Sequence, residues 1–570
     1  MKSLRTSIIV SFTVIYLGLM LSFNGQAQVA TDPYMGKRIE AITITITNPT
    51  KDHYAQQRVI DKVRRNLALY ANDTFREELL LFNLTSLTKL PEIAAITHQI
   101  TFSDQGQLII SLLVTLTDNT QPGLTSASFP WLYQHDGTFI KARLELLGMY
   151  YANQDAWFGK PDLMLEGNPF VQGTPAGKGF SNWFEGFAHV GLYGITPVTE
   201  QVHVYGGASG ILSGSIGQEL FTDKTRQHFA LEDAFLGVVG GNNNEKGDRF
   251  VYNLTAGRQR FSIGDGFILT NTSQNGLNRA ALQSNPRWAA DNVFLARMVF
   301  NNIKIEAFSV DADELPELDS KTVITGINAE LKLANYLLGA AWMTVPESNS
   351  RYFTSAAQLS REGLKVANLR LRWQPFQAAP NEKIHPYFAS EVAKQTHKDF
   401  DMLALGYFME AGLAFPSLNW TPSLSYRYAR FTGDKPATST FERWDPLLSG
   451  GNGETWVQGI NHFKIFQNSN LITHRLQVRL KPSPQIELVP QFWLFKADSL
   501  TNLGGNPALS FLPSTQLGTE FNLTAKYFYS RNIMLQGHLA ATFSDKAVNE
   551  ALGQHSSPWL SSMLFIRIGF

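Results

Sequence analysis

From Thr138 to the C-terminus the chain runs in short segments whose apolar and polar residues alternate one by one, separated by turns rich in Gly, Asn, Asp and Pro. A two-residue rhythm gives each strand two distinct faces. In the segment from Phe139 to Tyr150, Ile140, Ala142, Leu144, Leu146 and Gly148 share one face, and Lys141, Arg143 and Glu145 share the other. The last segment, Trp559 to Phe570, keeps the rhythm to its final residue, with Leu560, Ser562, Leu564, Ile566, Ile568 and Phe570 together. After the N-terminal apolar run, no stretch reaches the roughly 18 uninterrupted apolar residues that a membrane-spanning helix needs. Strands with a lipid-compatible face can cross a bilayer only as a closed barrel, because an open edge would leave amides unpaired in hydrocarbon.

The number of such segments, which include Val323 to Leu333, Ile486 to Leu494, Leu517 to Tyr527 and Ile533 to Phe543, predicts an antiparallel barrel of about 16–18 strands. A ring that wide is not filled by its own side chains and must hold a water-filled lumen, a plug, or both. Its last strand, ending on an aromatic residue, resembles the C-terminal signal of bacterial outer-membrane β-barrels. The N-terminus points the same way: Lys2 and Arg5 precede an apolar run from Ile8 to Phe23, and Gly25-Gln26-Ala27 predicts a signal peptide over residues 1–27. The expected location is the outer membrane of a Gram-negative bacterium, with lipid against the barrel wall. With 0 cysteines, neither a lipoprotein anchor nor a disulfide framework nor a thiolate metal site can be built. A formal net charge of +0 argues against nucleic acid as a partner.

Residues 37–118 form a unit with a different order of elements. Ile39 to Ile46 alternates as a strand, Val59, Val63 and Leu67 repeat at helical spacing, and a second helical run carries Leu79, Leu80, Leu84 and Leu87. Two strands follow, near Ile96 to Phe102 and Leu108 to Thr117, joined by Ser103-Asp104-Gln105-Gly106. This order, with the loop Asp73-Thr74-Phe75 and the step Leu90-Pro91-Glu92-Ile93, resembles a POTRA domain, the periplasmic module that precedes several outer-membrane barrels. The resemblance implies a small α+β domain in the periplasm, beneath the pore, whose sheet edge could take an extended segment of a periplasmic protein partner. Residues 119–137 read as a linker, and 138–570 as the barrel.

The alternation also assigns the lumen face. It turns Arg143, Arg370, Arg372, Arg427, Arg475 and Arg479 inward, and with Lys141, Lys304, Lys332, Lys526 and Arg567 against Glu145, Glu306, Glu330, Glu487 and Glu520 it leaves the wall an excess of about six cations. Guanidinium groups offer a rigid fork of donors that suits carboxylates, so an anionic polymer or a small hydrophilic solute is the expected cargo. The alternative for each arginine is a brace to a lumen carboxylate.

Two short motifs carry a second resemblance. Gly257-Arg258-Gln259-Arg260, continuing to Asp265-Gly266, looks like the Gly-Arg-Gln strand of alginate-export-type barrels, and Phe441 to Gly451 with Asp445-Pro446-Leu447 resembles a late segment of the same family. The resemblance implies that Arg258 and Arg260 are pore residues, with Asp265 and Asp445 as loop or constriction partners. Strict parity opposes this, since Arg258 and Arg260 fall in phase with Tyr252, Leu254 and Ala256 on the lipid side, unless Gly257 sits in a bulge or the arginines lie beyond the bilayer. The stretch from Ile268 to Asp291 is expected as a loop folding into or over the pore. The Arg-Gly-Phe or Arg-Gly-Tyr tip of protein-translocating POTRA barrels does not occur in this chain.

No His-Glu-x-x-His, Gly-x-Ser-x-Gly or phosphate-binding loop is present, and the glycines from Gly206 to Gly210 fit a strand bulge. Neither catalysis, a cofactor nor a metal site is expected. The function that follows is an outer-membrane pore or exporter passing a hydrophilic, anionic, polysaccharide-like substrate through a cationic lumen. The alternative is POTRA-dependent polypeptide translocation or outer-membrane protein assembly.

Overall fold

The structure is a computed structural model that describes Tyr34 and residues 37–569, apart from the segments 49–58, 117–130, 158–178, 218–224, 244–248, 374–383, 451–455, 504–510 and 552–555 and some single or paired residues. The expected signal peptide, the first part of the linker and the terminal Phe570 lie outside the described residues.

The N-terminal domain is a three-stranded sheet with a helix against it. Strand β1 (Ile39–Ile46) lies parallel to β3 (Leu108–Leu116), and β2 (Ile93–Phe102) lies antiparallel on the other side of β3. Helix α1 (Glu77–Thr88) presents Leu80, Leu84 and Leu87 at helical spacing to Leu108, Ile110, Leu112 and Val114 of the central strand, and all of them are buried. Val59, Val63 and Leu67 join this core, although most of their predicted helix falls outside the described residues. Ser103 closes the β2–β3 turn by accepting hydrogen bonds from the amides of Gln105 and Gln107.

The second body is a closed antiparallel barrel of 18 long strands among the described residues. A short strand, β4 (Trp131–His135), pairs with the start of β5 (Thr138–Gln154), so the end of the predicted linker belongs to the wall. Then come β6 (Phe180–Pro197), β7 (Val202–Gly217), β8 (Arg226–Asn243), β9 (Arg249–Gln259), β10 (Ala290–Phe300), β11 (Ile303–Asp311), β12 (Val323–Leu333) and β13 (Tyr336–Glu347). A small hairpin, β14 (Arg351–Phe353) and β15 (Gln358–Ser360), precedes β16 (Leu364–Trp373), β17 (His385–His397), β18 (Ala404–Ala414) and β19 (Ser423–Phe431). The wall finishes with β20 (Leu471–Ser483), β21 (Ile486–Lys496), β22 (Gln516–Phe528), β23 (Ile533–Ser544) and β24 (Trp559–Gly569). Strand β24 pairs with β5 from Leu560 opposite Gln154 to Gly569 opposite Glu145, which removes the last free edge.

Connections alternate around the ring between short links, such as 301–302 and 415–422, and long loops, such as 260–289 and 348–363. Side chains alternate as well. In β11, Ile303 and Ile305 are exposed on the outer face while Lys304, Glu306 and Phe308 are buried. The outer face is apolar strand after strand, with Phe229, Leu236, Ile327, Leu369 and Leu564 all exposed. So continuous an apolar surface suits hydrocarbon rather than water. Among the described residues no helix is long and apolar enough to cross a membrane.

Leu236 stands near the centre of β8 with 64% of its surface exposed on that outer face. Leu236→Arg is expected to destabilise the barrel in lipid vesicles by about 2–4 kcal/mol, read from denaturant unfolding of the reconstituted protein.

Candidate functional site

The lumen is occupied from both ends. The N-terminal domain does not hang beneath the pore as the sequence suggested. It is seated in the mouth at the short-turn end, and the seat is built from wall residues of the inward parity. Asp73, 2% exposed, faces Lys304 Nζ at 3.4 Å and Arg297 at 3.7 Å, while Glu77 pairs with Lys141. Arg76 donates to Gln259 Oε1 at 2.9 Å, Arg372 donates to Gln107 Oε1 at 2.9 Å, and Lys481 donates to the Phe102 carbonyl at 3.0 Å and to Asp104 at 3.2 Å. Two ring contacts complete the seat, Phe102 on Phe528 and Phe82 on His203. The domain is a plug.

From the opposite end the loops 260–289 and 432–470 fold inward. Inward-facing carboxylates of the wall hold their backbones: Glu185 accepts the amides of Gln283 and Ser284, Glu232 those of Trp288 and Ala289, and Glu520 those of Asn461 and His462. Ionised carboxylates make strong acceptors for amides that would otherwise be unpaired. Between the loops and the wall an aromatic cluster forms inside the barrel, with Phe267 against Phe408, Phe431, Trp444 and Trp456.

Plug and loop meet at Asp265. Its carboxylate takes Arg38 of the plug at 2.5 Å and also pairs with Arg372 of β16. Burial alone would raise the Asp265 carboxyl, but Arg372 and Arg38 together hold it well below the usual carboxylate range. Nearby, Thr74 and Ser262 share a hydrogen bond of 3.2 Å. Glycine is required beside this junction, because Gly264 and Gly266 have φ of +55° and +83°, and a Cβ on Gly264 would stand 2.7 Å from Arg370.

Beside the junction a chamber of about 290 Å³ remains, bounded by the plug, the loop 260–289 and the wall from β22 round to β6. Lys37, Arg38, Arg260, Asp265, Glu145 and Arg567 bring charge to it. Arg38 is neutralised by Asp265, and Arg567 donates to Glu145 at 2.7 Å. Among the described residues, no group accepts a hydrogen bond from the side chain of Lys37 or Arg260, and Arg260 lies over the Trp288 ring at 5.5 Å. Burial, then the neighbouring Arg567, pushes the Lys37 ammonium down to about 8.

No protein-family model matches this chain. No curated protein matches it either. Its fold is similar to solved structures that include Pseudomonas aeruginosa OccK5 (OpdH), at 11% identity over 76% of this chain and 98% of that one with a TM-score of 0.45. Acinetobacter baumannii OccAB1 is similar at 10% identity, covering 76% and 96% with a TM-score of 0.45. The outer membrane protein OprD of Pseudomonas aeruginosa is similar at 11% identity, covering 75% and 94% with a TM-score of 0.43.

The structure turns Arg143, Arg370, Arg372, Arg427, Arg475 and Arg479 inward, and every one has an acidic partner. Arg143 pairs with Glu145, Arg370 lies 3.4 Å from Glu330, Arg427 and Arg475 share Glu410 at 2.7 Å each, and Arg479 takes Glu487 at 2.7 Å. The expected cationic excess is not realised around these groups, because Glu185, Glu232, Asp233, Glu391 and Glu410 are buried on the lumen side as well. Alternation within β6 and β17 marks Glu185 and Glu391 as inward, whereas the neighbours Glu232 and Asp233 both face the lumen because β8 carries an extra residue against β7 at that point.

Arg258 keeps the outward parity at the end of β9, and its guanidinium is tied to Asp291 and Asp313 at the long-loop end. Arg260 does reach the lumen, because the chain leaves the wall after Gln259 and parity no longer governs it. Asp445 is a loop brace, accepting from Arg361 at 2.8 Å and from the Tyr352 hydroxyl at 2.7 Å. Among the described residues no cluster could hold a metal ion.

Glu410 lies between two buried guanidiniums, so Glu410→Gln would remove the carboxylate that both share. Unfolding of the reconstituted variant is expected to show a loss of about 3–5 kcal/mol relative to the unsubstituted protein.

Proposed function

We propose that this protein is an outer-membrane channel for a small hydrophilic solute whose periplasmic mouth is closed by its own N-terminal domain, POTRA-like in its strand order. One observation carries the reading: the domain sits inside the short-turn mouth on contacts dominated by charge, Asp73 to Lys304 and Arg297, Glu77 to Lys141, and Asp104 to Lys481. Both sides of such contacts can be rehydrated when they part, and beside them Phe82 and Phe102 of the domain also pack on the wall. A purely structural closure would gain nothing from a seat of that kind.

The apolar outer face and the aromatic, alternating last strand support the bilayer location, and short turns mark the periplasmic end in barrels of this class. The size of the free space favours a solute over a polymer. A small molecule fits a chamber of about 290 Å³, whereas a polysaccharide needs an uninterrupted passage. Passage is by diffusion once the plug has moved, without covalent chemistry. Polypeptide translocation rests on the strand order of the N-terminal domain alone.

The chain has 0 cysteines, which makes a clean test available. Thr74→Cys combined with Ser262→Cys places two thiols where the hydroxyls are 3.2 Å apart, one on the plug and one on the inward loop. Liposomes containing the oxidised double variant are expected to swell slowly in arabinose and to recover the unsubstituted rate after reduction. Equal swelling before and after reduction, with the cross-link verified on gels, would overturn the reading.

A further inference from the structure

We infer that the outer wall of the barrel carries, at its long-loop end across β16 to β21, a binding face for the phosphate groups of a lipid in the surrounding leaflet. The inference rests on the bilayer location and is independent of how the lumen is plugged.

Strand parity builds the face. Lys365 of β16, Lys394 of β17, Arg430 of β19 and Lys496 of β21 all take the outward phase, each close to the end of its strand that leads into a long loop. Register sets them side by side. Lys394 lies opposite Ala367, two residues along β16 from Lys365, and Arg430 and Lys496 both lie opposite Ile472 of β20. With strands about 4.8 Å apart and alternate residues about 6.8 Å apart along a strand, successive cations of the band are about 8–12 Å from one another at their Cα atoms. The three lysines are exposed, and among the described residues none of them has a carboxylate partner. The acids of this sector are engaged already: Asp498 takes Arg430 at 2.6 Å and the Gly433 amide at 3.0 Å, and Glu362 takes Lys398 at 3.3 Å. The band is confined to one side of the ring. At the same end β10 and β11 carry Asp291 and Asp311 instead, and Arg258 of β9 is neutralised by Asp291 and Asp313.

What lies below the cations specifies a lipid rather than a free anion. From the long-loop end towards the middle of the wall, the outward series of β19 runs Arg430, Tyr428, Tyr426, Leu424, and beside it on β20 stands His474, whose Nδ1 shares a hydrogen bond of 2.7 Å with the Tyr426 hydroxyl. Charge, then hydroxyl and imidazole, then hydrocarbon is also the order of phosphate, carbonyl and acyl chain in a lipid, and polar-tipped aromatic rings collect at that middle level. Lysine stems can lie along an apolar wall while their ammonium groups reach the head group. A phosphate offers several charged acceptor oxygens to such donors, and the acyl chains attached to it cover the apolar wall beneath. A soluble anion would gain only the first of these two contacts.

Lipid A, a glycolipid with two phosphates, serves as the probe and its dephosphorylated form as the control, added to the full-length protein in detergent, with bound lipid counted by native mass spectrometry. Saturable binding of lipid A is expected, with binding of the dephosphorylated form about tenfold weaker or more. Lys365→Gln, Lys394→Gln and Lys496→Gln are each expected to weaken lipid A about fivefold, and the three together about a hundredfold. Lys546→Gln, exposed beyond β23 on another side of the ring, is expected to leave binding unchanged. Heat-dependent gel migration establishes that each variant is a folded barrel. A folded triple variant that binds lipid A as well as the unsubstituted protein, or equal binding of the dephosphorylated form, would overturn the inference. Displacement of lipid A by excess inorganic phosphate would overturn it too, because it would mark a site for the free ion. If the protein does not insert into lipid vesicles, the bilayer location falls and the inference with it. If it inserts and lipid A binding ignores the three lysines, the inference alone falls.

Discussion

The width of the ring governs the rest of this molecule. Side chains on opposite walls of an 18-stranded barrel cannot meet across it. An inward charge in such a ring either stays in water or finds a partner supplied by something other than the opposite wall. Here the partners come from along the wall, from a plug entering at the short-turn end, and from loops descending from the long-loop end. The burial of Lys141, Lys304, Glu306, Arg475 and Glu520, all on the lumen face, records how fully the space has been taken.

The inward charges divide into two kinds of work. Around β16 to β21, arginines and carboxylates neutralise one another within the wall, as in the Arg427–Glu410–Arg475 group. Elsewhere the carboxylates Glu185, Glu232 and Glu520 are turned to the backbones of the inward loops, each fixing consecutive amides. Asp265 belongs to both kinds, since it joins plug, loop and wall through one carboxylate. The side of the lumen from β22 to β6 is left with space, and two cations of the plug and loop face it without hydrogen-bond partners among the described residues.

Most of the wall was legible because strand parity is a local property. Lys141, Arg143 and Glu145, like Arg475, Gln477 and Arg479, face inward as the alternation requires. Parity misled only where its premise lapsed. After Gln259 the chain quits the wall, so Arg260 turns into the lumen. Gly257 has a φ of +117°, and β10 carries an extra residue opposite it, between Ala290 and Val293. The seat of the plug left no local trace. Asp73 and Lys304, or Arg38 and Asp265, are separated by more of the chain than any periodicity spans, and each looks like an ordinary charged residue where it stands in the sequence. Glu410, the carboxylate that Arg427 and Arg475 share, is hidden for a milder reason: it lies in a strand with aromatic residues on both faces, Tyr407 and Phe408 among them, which obscures its phase.

The distance between plug and wall is the most direct measure of whether the N-terminal domain is held inside the barrel by its charged seat. Spin labels at positions 104 and 481, where Asp104 and Lys481 are 3.2 Å apart, report it by pulsed electron paramagnetic resonance on the protein in lipid nanodiscs. The account predicts one short, narrow distance at low salt that gains a longer component as salt screens the seat. A broad distribution of long distances at low salt, as a domain tethered free of the barrel would give, would contradict it.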